Sequence, residues 1–197
     1  TGLQIGLGDR LAATQRIFTQ GNLQTTGNPT DIAIEGEGFF RIEMPDGTIA
    51  YTRDGSFKLD STRRMVTTDG YPLADNITLE QDATSDSITI AQTGAVSDVV
   101  NGQTNQVGQI TRFVNPAGLT AIGHNLFMES EASGPPLEGN PGDDGAGRLQ
   151  QSVLEMSNVQ VVEEMVNMIV AQRAYESDAK AITTSDSMLE IANGLKR

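Results

Sequence analysis

The one imidazole of this sequence belongs to His124, set between Gly123 and Asn125 in a stretch that reads as a turn. A histidine acts as a general base only when a nucleophile and an orienting group stand beside it. No Gly-x-Ser-x-Gly elbow occurs here to supply such a nucleophile. The chain holds no cysteine, which excludes a thiol nucleophile, a thiolate metal site and a disulfide. A zinc site would then have to be built from carboxylates, although zinc prefers nitrogen and sulfur ligands. The acidic turns Asp82-Ala83-Thr84-Ser85-Asp86 and Asp143-Asp144-Gly145 offer oxygen ligands to calcium, but neither has the spacing of a calcium loop with its distal glutamate. Gly36-Glu37-Gly38 and the stretch from Gly142 to Gly147 carry the glycines of a phosphate loop without a strand before and a helix after. They read as turns. The sequence therefore predicts no catalytic residue, no metal ligand and no cofactor, and the protein is expected not to be an enzyme.

What the chain does hold is a surface for another helix. Neither glycine nor proline, the usual helix breakers, occurs from Asn158 to Ile191, and the pattern predicts a helix from Ser157 to Arg197. Steps of three and four residues pick out Val161, Met165, Met168, Gln172, Tyr175, Ala179, Ile182, Asp186 and Leu189 as a heptad seam. Ser157-Asn158-Val159-Gln160 fits a capping box, with Ser157 as the cap. Glu163 and Glu164 near the start, with Lys196 and Arg197 at the end, complement the helix dipole. Gln172 and Asp186 interrupt the seam; such residues either fix register or lie at a wet edge of the contact. Met156, Met165, Met168 and Met188 read as packing material on or beside the helix. An isolated helix is marginal in water, whereas burying each Val, Leu, Ile or Met contributes about 1.5–3 kcal/mol. A helix of this length wants a partner, and assembly is the expected function.

Composition narrows the partner. The 197 residues include 26 acidic against 13 basic side chains, a formal net charge of −13. That balance argues against nucleic acid and against attachment to anionic lipid. No run approaches the roughly 20 apolar residues of a membrane span, and no signal-peptide pattern opens the chain. Aromatic residues are only 5% and tryptophan is absent, too few large side chains for one globule using the whole length.

Ahead of the helix the period changes to two. Ile32 and Ile34, Phe39 to Ile42, Ile49 to Thr52, Ser56 to Leu59, Met65 to Thr67 and Tyr71 to Leu73 read as strands, joined by turns such as Pro45-Asp46-Gly47, Asp54-Gly55 and Asp69-Gly70. Ile77–Leu79, Ile88–Ile90, Val96–Val100 and Val107–Val114 extend the series at about ten-residue spacing, the rhythm of a β sandwich or barrel. The expected fold is a mainly β body, an irregular sandwich or barrel-like domain, with one long C-terminal α-helix of coiled-coil type. Residues 1–30 are expected as an extended connector, 31–150 as the β-rich domain with a Gly/Pro-rich loop near its end, and 151–197 as the helical segment.

Several of these stretches also carry a family likeness. Ser157-Asn158-Val159, Glu163-Glu164-Met165-Val166-Asn167-Met168-Ile169, Gln172-Arg173-Ala174-Tyr175-Glu176 and Met188-Leu189 resemble the C-terminal segment of the bacterial flagellar rod and hook proteins. Gly36-Glu37-Gly38-Phe39-Phe40 and Tyr51-Thr52-Arg53-Asp54-Gly55-Ser56-Phe57 are similar to the central motif of that family. Gly2-Leu3-Gln4-Ile5-Gly6 and Gln20-Gly21-Asn22-Leu23 resemble its distal-rod members. The resemblance implies a structural subunit of the distal rod that assembles with itself into a tube through terminal helices and transmits torque. It implies neighbouring rod and hook proteins and the surrounding ring proteins as partners. It also implies export without a cleaved signal and a place in the periplasm-spanning rod, with no insertion into the membrane.

The sequence departs from the family pattern at two points. The family's N-terminal helix does not appear in this sequence, so this chain by itself is expected to assemble poorly, or its C-terminal helix to find a substitute partner. After Asp60, where the family has a turn glycine, stands Ser61-Thr62-Arg63-Arg64, so a positive φ at Arg63 would strain that hairpin. The competing readings are a hook or proximal-rod subunit and, from another class, a ligand-binding or adhesive β domain on a coiled-coil stalk.

Overall fold

The computed structural model describes residues 15–75, 77, 88–98, 104–143 and 145–194. The expected acidic turn at 82–86, the strand ends at 78–79 and 99–100, Asp144, the basic pair at 196–197 and the first fourteen residues lie outside them. The chain forms two compact units that divide between Ser157 and Asn158.

The first unit is built from short strands. In chain order they are β1 (Leu23–Thr25), β2 (Ile32–Glu35), β3 (Phe40–Glu43), β4 (Ile49–Thr52), β5 (Lys58–Leu59), β6 (Met65–Val66), β7 (Ile88–Ile90) and β8 (Ala95–Asp98). There follow β9 (Thr104–Val107), β10 (Ile110–Arg112), β11 (Thr120–Gly123), β12 (Leu126–Met128), β13 (Leu137–Gly139), β14 (Arg148–Gln151) and β15 (Val153–Glu155). All pairings among the described residues are antiparallel. The widest sheet runs β11-β12-β4-β3, a second runs β7-β8-β9, and the remaining pairs are β1-β15, β10-β13, β14-β2 and β5-β6. None of these sheets closes into a barrel.

Side chains of these small sheets meet in two clusters. The larger gathers Ile32, Ile34, Phe40, Ile42, Phe57, Met65 and Leu149 with their neighbours. The smaller is aromatic: Phe39, Tyr51 and Phe113 with Leu119, flanked by Phe18 and Phe127. Tyr51 meets Phe113 edge-on with centroids 4.8 Å apart, and Phe39 meets Phe113 at 5.9 Å. Two adjacent aromatics in sequence, Phe39 and Phe40, thus serve opposite clusters, as side chains alternating along a strand must.

Both boundaries of the sequence reading shift. Residues 151–155 are not part of the helix: Gln151 ends β14, and Val153–Glu155 pair with Thr25–Leu23. The two ends of the body are thereby zipped together, with Thr26 N–H donating to Ser152 O (2.9 Å) and Met156 N–H to Asn22 O (2.8 Å). Residues 23–25, expected within a connector, are a strand of the body because a partner strand far along the sequence satisfies their backbone. The expected strand 107–114 is broken at Gly108, whose N–H donates to Gly94 O at 2.7 Å.

The hairpin between β5 and β6 turns at Asp60–Arg64, and Arg63 does adopt φ 60°. Asp60 organises it, its carboxylate accepting from Ser61 Oγ at 3.2 Å and from the Thr62 N–H. The Asp60 pKa lies below its ordinary value, chiefly because of the Thr62 backbone bond.

The second unit is the helix α1 (Val161–Gly194), 34 residues long. Its first bond runs from Glu164 N–H to Gln160 O at 3.0 Å, so Gln160, rather than Ser157, sits at the cap.

Candidate assembly interface

No described residue of α1 is buried. All nine residues of the predicted seam lie on the helix: Val161, Met165, Met168, Gln172, Tyr175, Ala179, Ile182, Asp186 and Leu189. At about 100° per residue they occupy an arc of roughly 120° that drifts by about 20° per heptad, the drift that a left-handed supercoil takes up. Within it Met168 is 70% and Ile182 63% exposed, so the apolar area is available to a neighbour. Of the two polar seam residues, Gln172 donates along its own helix to Glu176 Oε1 at 3.3 Å.

The heptad reading missed a second stripe. Val162, Val166 and Ile169 are exposed as well, on the flank of the seam and at the same four-then-three spacing. With Val161, Met165, Met168 and Val170 they make the first three turns apolar over roughly 200° of the circumference, far wider than a single coiled-coil seam. The spacing was visible in the sequence; following one stripe hid the other. Towards the C-terminal half the character changes, as Thr183 and Thr184 both donate their hydroxyls back to Lys180 O, at 2.9 and 2.8 Å. Such back-bonding satisfies polar side chains without a partner and loosens a helix slightly.

Among its described residues the body offers no comparable surface. His124 is exposed in the β11–β12 turn, where it and Asn125 have φ of 51° and 60°, as a two-residue hairpin turn requires. It borders a cavity of about 30 Å³ with Asp54, Ser56, Thr67 and Asp69, which has room for about one water. The Asp54 carboxylate there accepts from Ser56 N–H (3.0 Å), Ser56 Oγ (2.7 Å) and Asn125 Nδ2 (3.2 Å), which is the work of a turn-former. Among the described residues no group of three or more acidic, histidine or cysteine side chains could hold a metal ion. Among them, too, no helix is long and apolar enough to cross a membrane.

Gly36-Glu37-Gly38 has the opposite polarity to a phosphate cradle. Its carbonyls face the Arg53 guanidinium, Gly38 O accepting from Nη1 and Gly36 O from Nη2, each at 3.1 Å. Arg53 Nε also donates to Glu155 Oε2 at 2.9 Å, while Glu155 Oε1 accepts the Gly21 N–H at 2.9 Å. One arginine from the end of β4 thus holds the β2–β3 loop and the strand that leads out of the body. A second largely buried arginine, Arg41, pairs with Asp75 and with Glu138 and reaches Gln109 Oε1 at 3.2 Å, joining β3 to β13 and the lead-in to β10. Burial would lower the Arg41 pKa, but the hydrogen bond and charge of Asp75, with help from Glu138, raise it above its ordinary value. Both arginines are structural.

A body of short antiparallel strands, followed by a 34-residue helix whose large apolar side chains are exposed, has the build of a subunit that packs against other subunits. Residues 33–98 match the family described as the flagellar hook protein FlgE/F/G D1 domain, and residues 150–195 match the flagellar basal body rod FlgEFG protein C-terminal family. The flagellar basal-body rod protein FlgG of Borreliella burgdorferi is 56% identical over the whole of this chain and 76% of its own length. Those of Agrobacterium fabrum and Bacillus subtilis are 45% and 44% identical, each over 98% of this chain and 74–75% of their own. The chain belongs to the flagellar hook and basal-body rod family.

Proposed function

We propose that this protein is a subunit of the distal rod of the bacterial flagellum, which self-assembles by packing α1 against neighbouring helices and carries torque. The observation that supports the reading best is the exposed apolar arc of Val161 to Val170. An arc of roughly 200° is wide enough for neighbours on two sides, as a tube wall requires, where a stalk of two helices would use one narrow seam. The nine seam residues form one of these two contacts, and Val162, Val166 and Ile169 form the other. Its partners are further copies of itself, adjoining rod and hook proteins and the rings around the rod. The rod crosses the periplasm, and its subunits are exported without cleavage of a signal.

Complementation tests this. In cells lacking their distal rod protein, the full-length gene restores rods of normal length in isolated basal bodies, and Met168→Asp gives truncated ones. A seam carboxylate would be buried unpaired, which costs several kcal/mol per contact. Normal rods built from Met168→Asp subunits would remove the helix from the account.

A further inference from the structure

The seven methionines of this chain divide sharply by environment. Met65 is 1% exposed in the core of the body, and Met44 and Met128 are partly covered. Met156, Met165, Met168 and Met188 are each at least half exposed. Thioether oxidation follows access, so the second group is open to peroxide in a subunit that has not yet assembled. What oxidation does there depends on the neighbours. Around Met165 the helix places Val161, Val162, Met168 and Ile169, the residues three and four positions away, and none of them carries a hydrogen-bond donor. Met188 has Thr184 and Ser185 on its preceding turn, and Met156 lies outside the helix altogether.

We propose that Met165, with Met168 beside it, is an oxidation site that controls assembly: the free subunit is oxidised there by peroxide, and the sulfoxide prevents the helix from seating against a second copy. The inference rests on the assembly reading above. Peroxide transfers one oxygen to the sulfur; the O–O bond breaks, an S–O bond forms, the thioether loses two electrons and water leaves. The product is a strong acceptor on a surface that assembly must dry. None of the side chains three or four positions from Met165 can donate to it, and the nearest seam amide, Gln172, already donates to Glu176, so the sulfoxide oxygen would be buried unsatisfied. Reduction by methionine sulfoxide reductases returns the thioether, which makes the block reversible. Once assembled, the same sulfurs are covered and protected.

The test uses the purified full-length subunit, dilute hydrogen peroxide and peptide mapping, followed by sedimentation and electron microscopy of assemblies over a concentration series. Mapping is expected to find oxygen on Met156, Met165, Met168 and Met188 while Met65 stays unmodified. Oxidised protein is expected to need at least about a tenfold higher concentration to assemble, since one unsatisfied buried polar group has that effect. Reductase treatment restores the original threshold. Met165→Leu/Met168→Leu, a swap that conserves volume, assembles normally and resists peroxide, whereas Met156→Leu/Met188→Leu remains sensitive. Equal assembly by oxidised and untreated wild type would overturn the proposal, as would full peroxide sensitivity of Met165→Leu/Met168→Leu. If the untreated wild type forms no assemblies at any concentration, the assembly reading itself fails and this one with it. Should the double leucine variant assemble poorly before treatment, Met165→Leu alone and the reductase rescue of wild type still decide the matter.

Discussion

Replacing Gly55 by alanine should damage the body more than any other single methyl group added to its turns. The reason is space: a Cβ on Gly55 would lie 1.5 Å from the carbonyl oxygen of Ile32 and 2.7 Å from its carbonyl carbon. An ordinary carbon–oxygen contact is about 3.3–3.6 Å, so the two backbones would have to part by roughly 2 Å. That movement breaks the bond from Ile32 N–H to Gly55 O, now 3.0 Å. It also drags β2, whose Ile32, Ala33 and Ile34 are all buried. Overpacking of this kind costs about 1–3 kcal/mol, the lost hydrogen bond about 1 more, and displacement of three core residues a comparable amount. The sum is about 3–5 kcal/mol, a large part of the stability of an ordinary domain. Gly47→Ala is the control, because Gly47 has φ 81° with nothing within 4 Å of a Cβ. Its cost is conformational only, about 1 kcal/mol. Urea unfolding followed by near-ultraviolet circular dichroism of the aromatic cluster measures both variants. Gly55→Ala within 1 kcal/mol of Gly47→Ala would refute the steric argument.

Three other perturbations separate the two units and their chemistry. Ile182→Asp should leave body stability unchanged within about 0.5 kcal/mol, since the side chain is exposed in the single chain, yet abolish pelletable assemblies in sedimentation. Arg63→Gly should raise stability in urea by about 0.5–1 kcal/mol, because the left-handed backbone strain disappears and outweighs the entropy glycine adds to the unfolded chain. Tyr51 is held neutral by burial first, then by the charges of Glu129 and Glu138, and its pKa lies above the ordinary value. Its contribution is complete below about pH 10, where both states are protonated, and is lost as pH rises towards the folded value. Tyr51→Phe should therefore flatten the alkaline limb of a stability–pH profile, and an unchanged limb would contradict that assignment.

Elements whose signal is local could be read directly from the chain. Alternation and turn residues located β2 to β6, and the long stretch free of glycine and proline located α1. Non-local pairings stayed hidden. β1 reads as connector because its Leu23–Thr25 become a strand only when Val153–Glu155 arrive from far along the sequence. The same pairing kept residues 153–155 out of the helix, although their composition suits either state. Glycine was recognised as turn punctuation at Gly55, whereas its real constraint is the close approach of a second backbone. The Gly36-Glu37-Gly38 loop read correctly as a turn, but its role as a set of acceptors for Arg53 needs coordinates. Arg53 stood in the sequence only as one member of the Tyr51 to Phe57 motif, without a sign of which carbonyls it would hold.

The central claim is that α1 joins subunits along an open-ended axis. Ala171→Cys and Ser185→Cys introduced together into the full-length protein test it directly, because these 197 residues hold no other cysteine to compete for the cross-link. Isolated cell-envelope assemblies would be oxidised and resolved by size. The account predicts a long ladder of cross-linked subunits that co-purifies with the flagellar base. A single small oligomer, or monomer alone, away from the flagellum would contradict it.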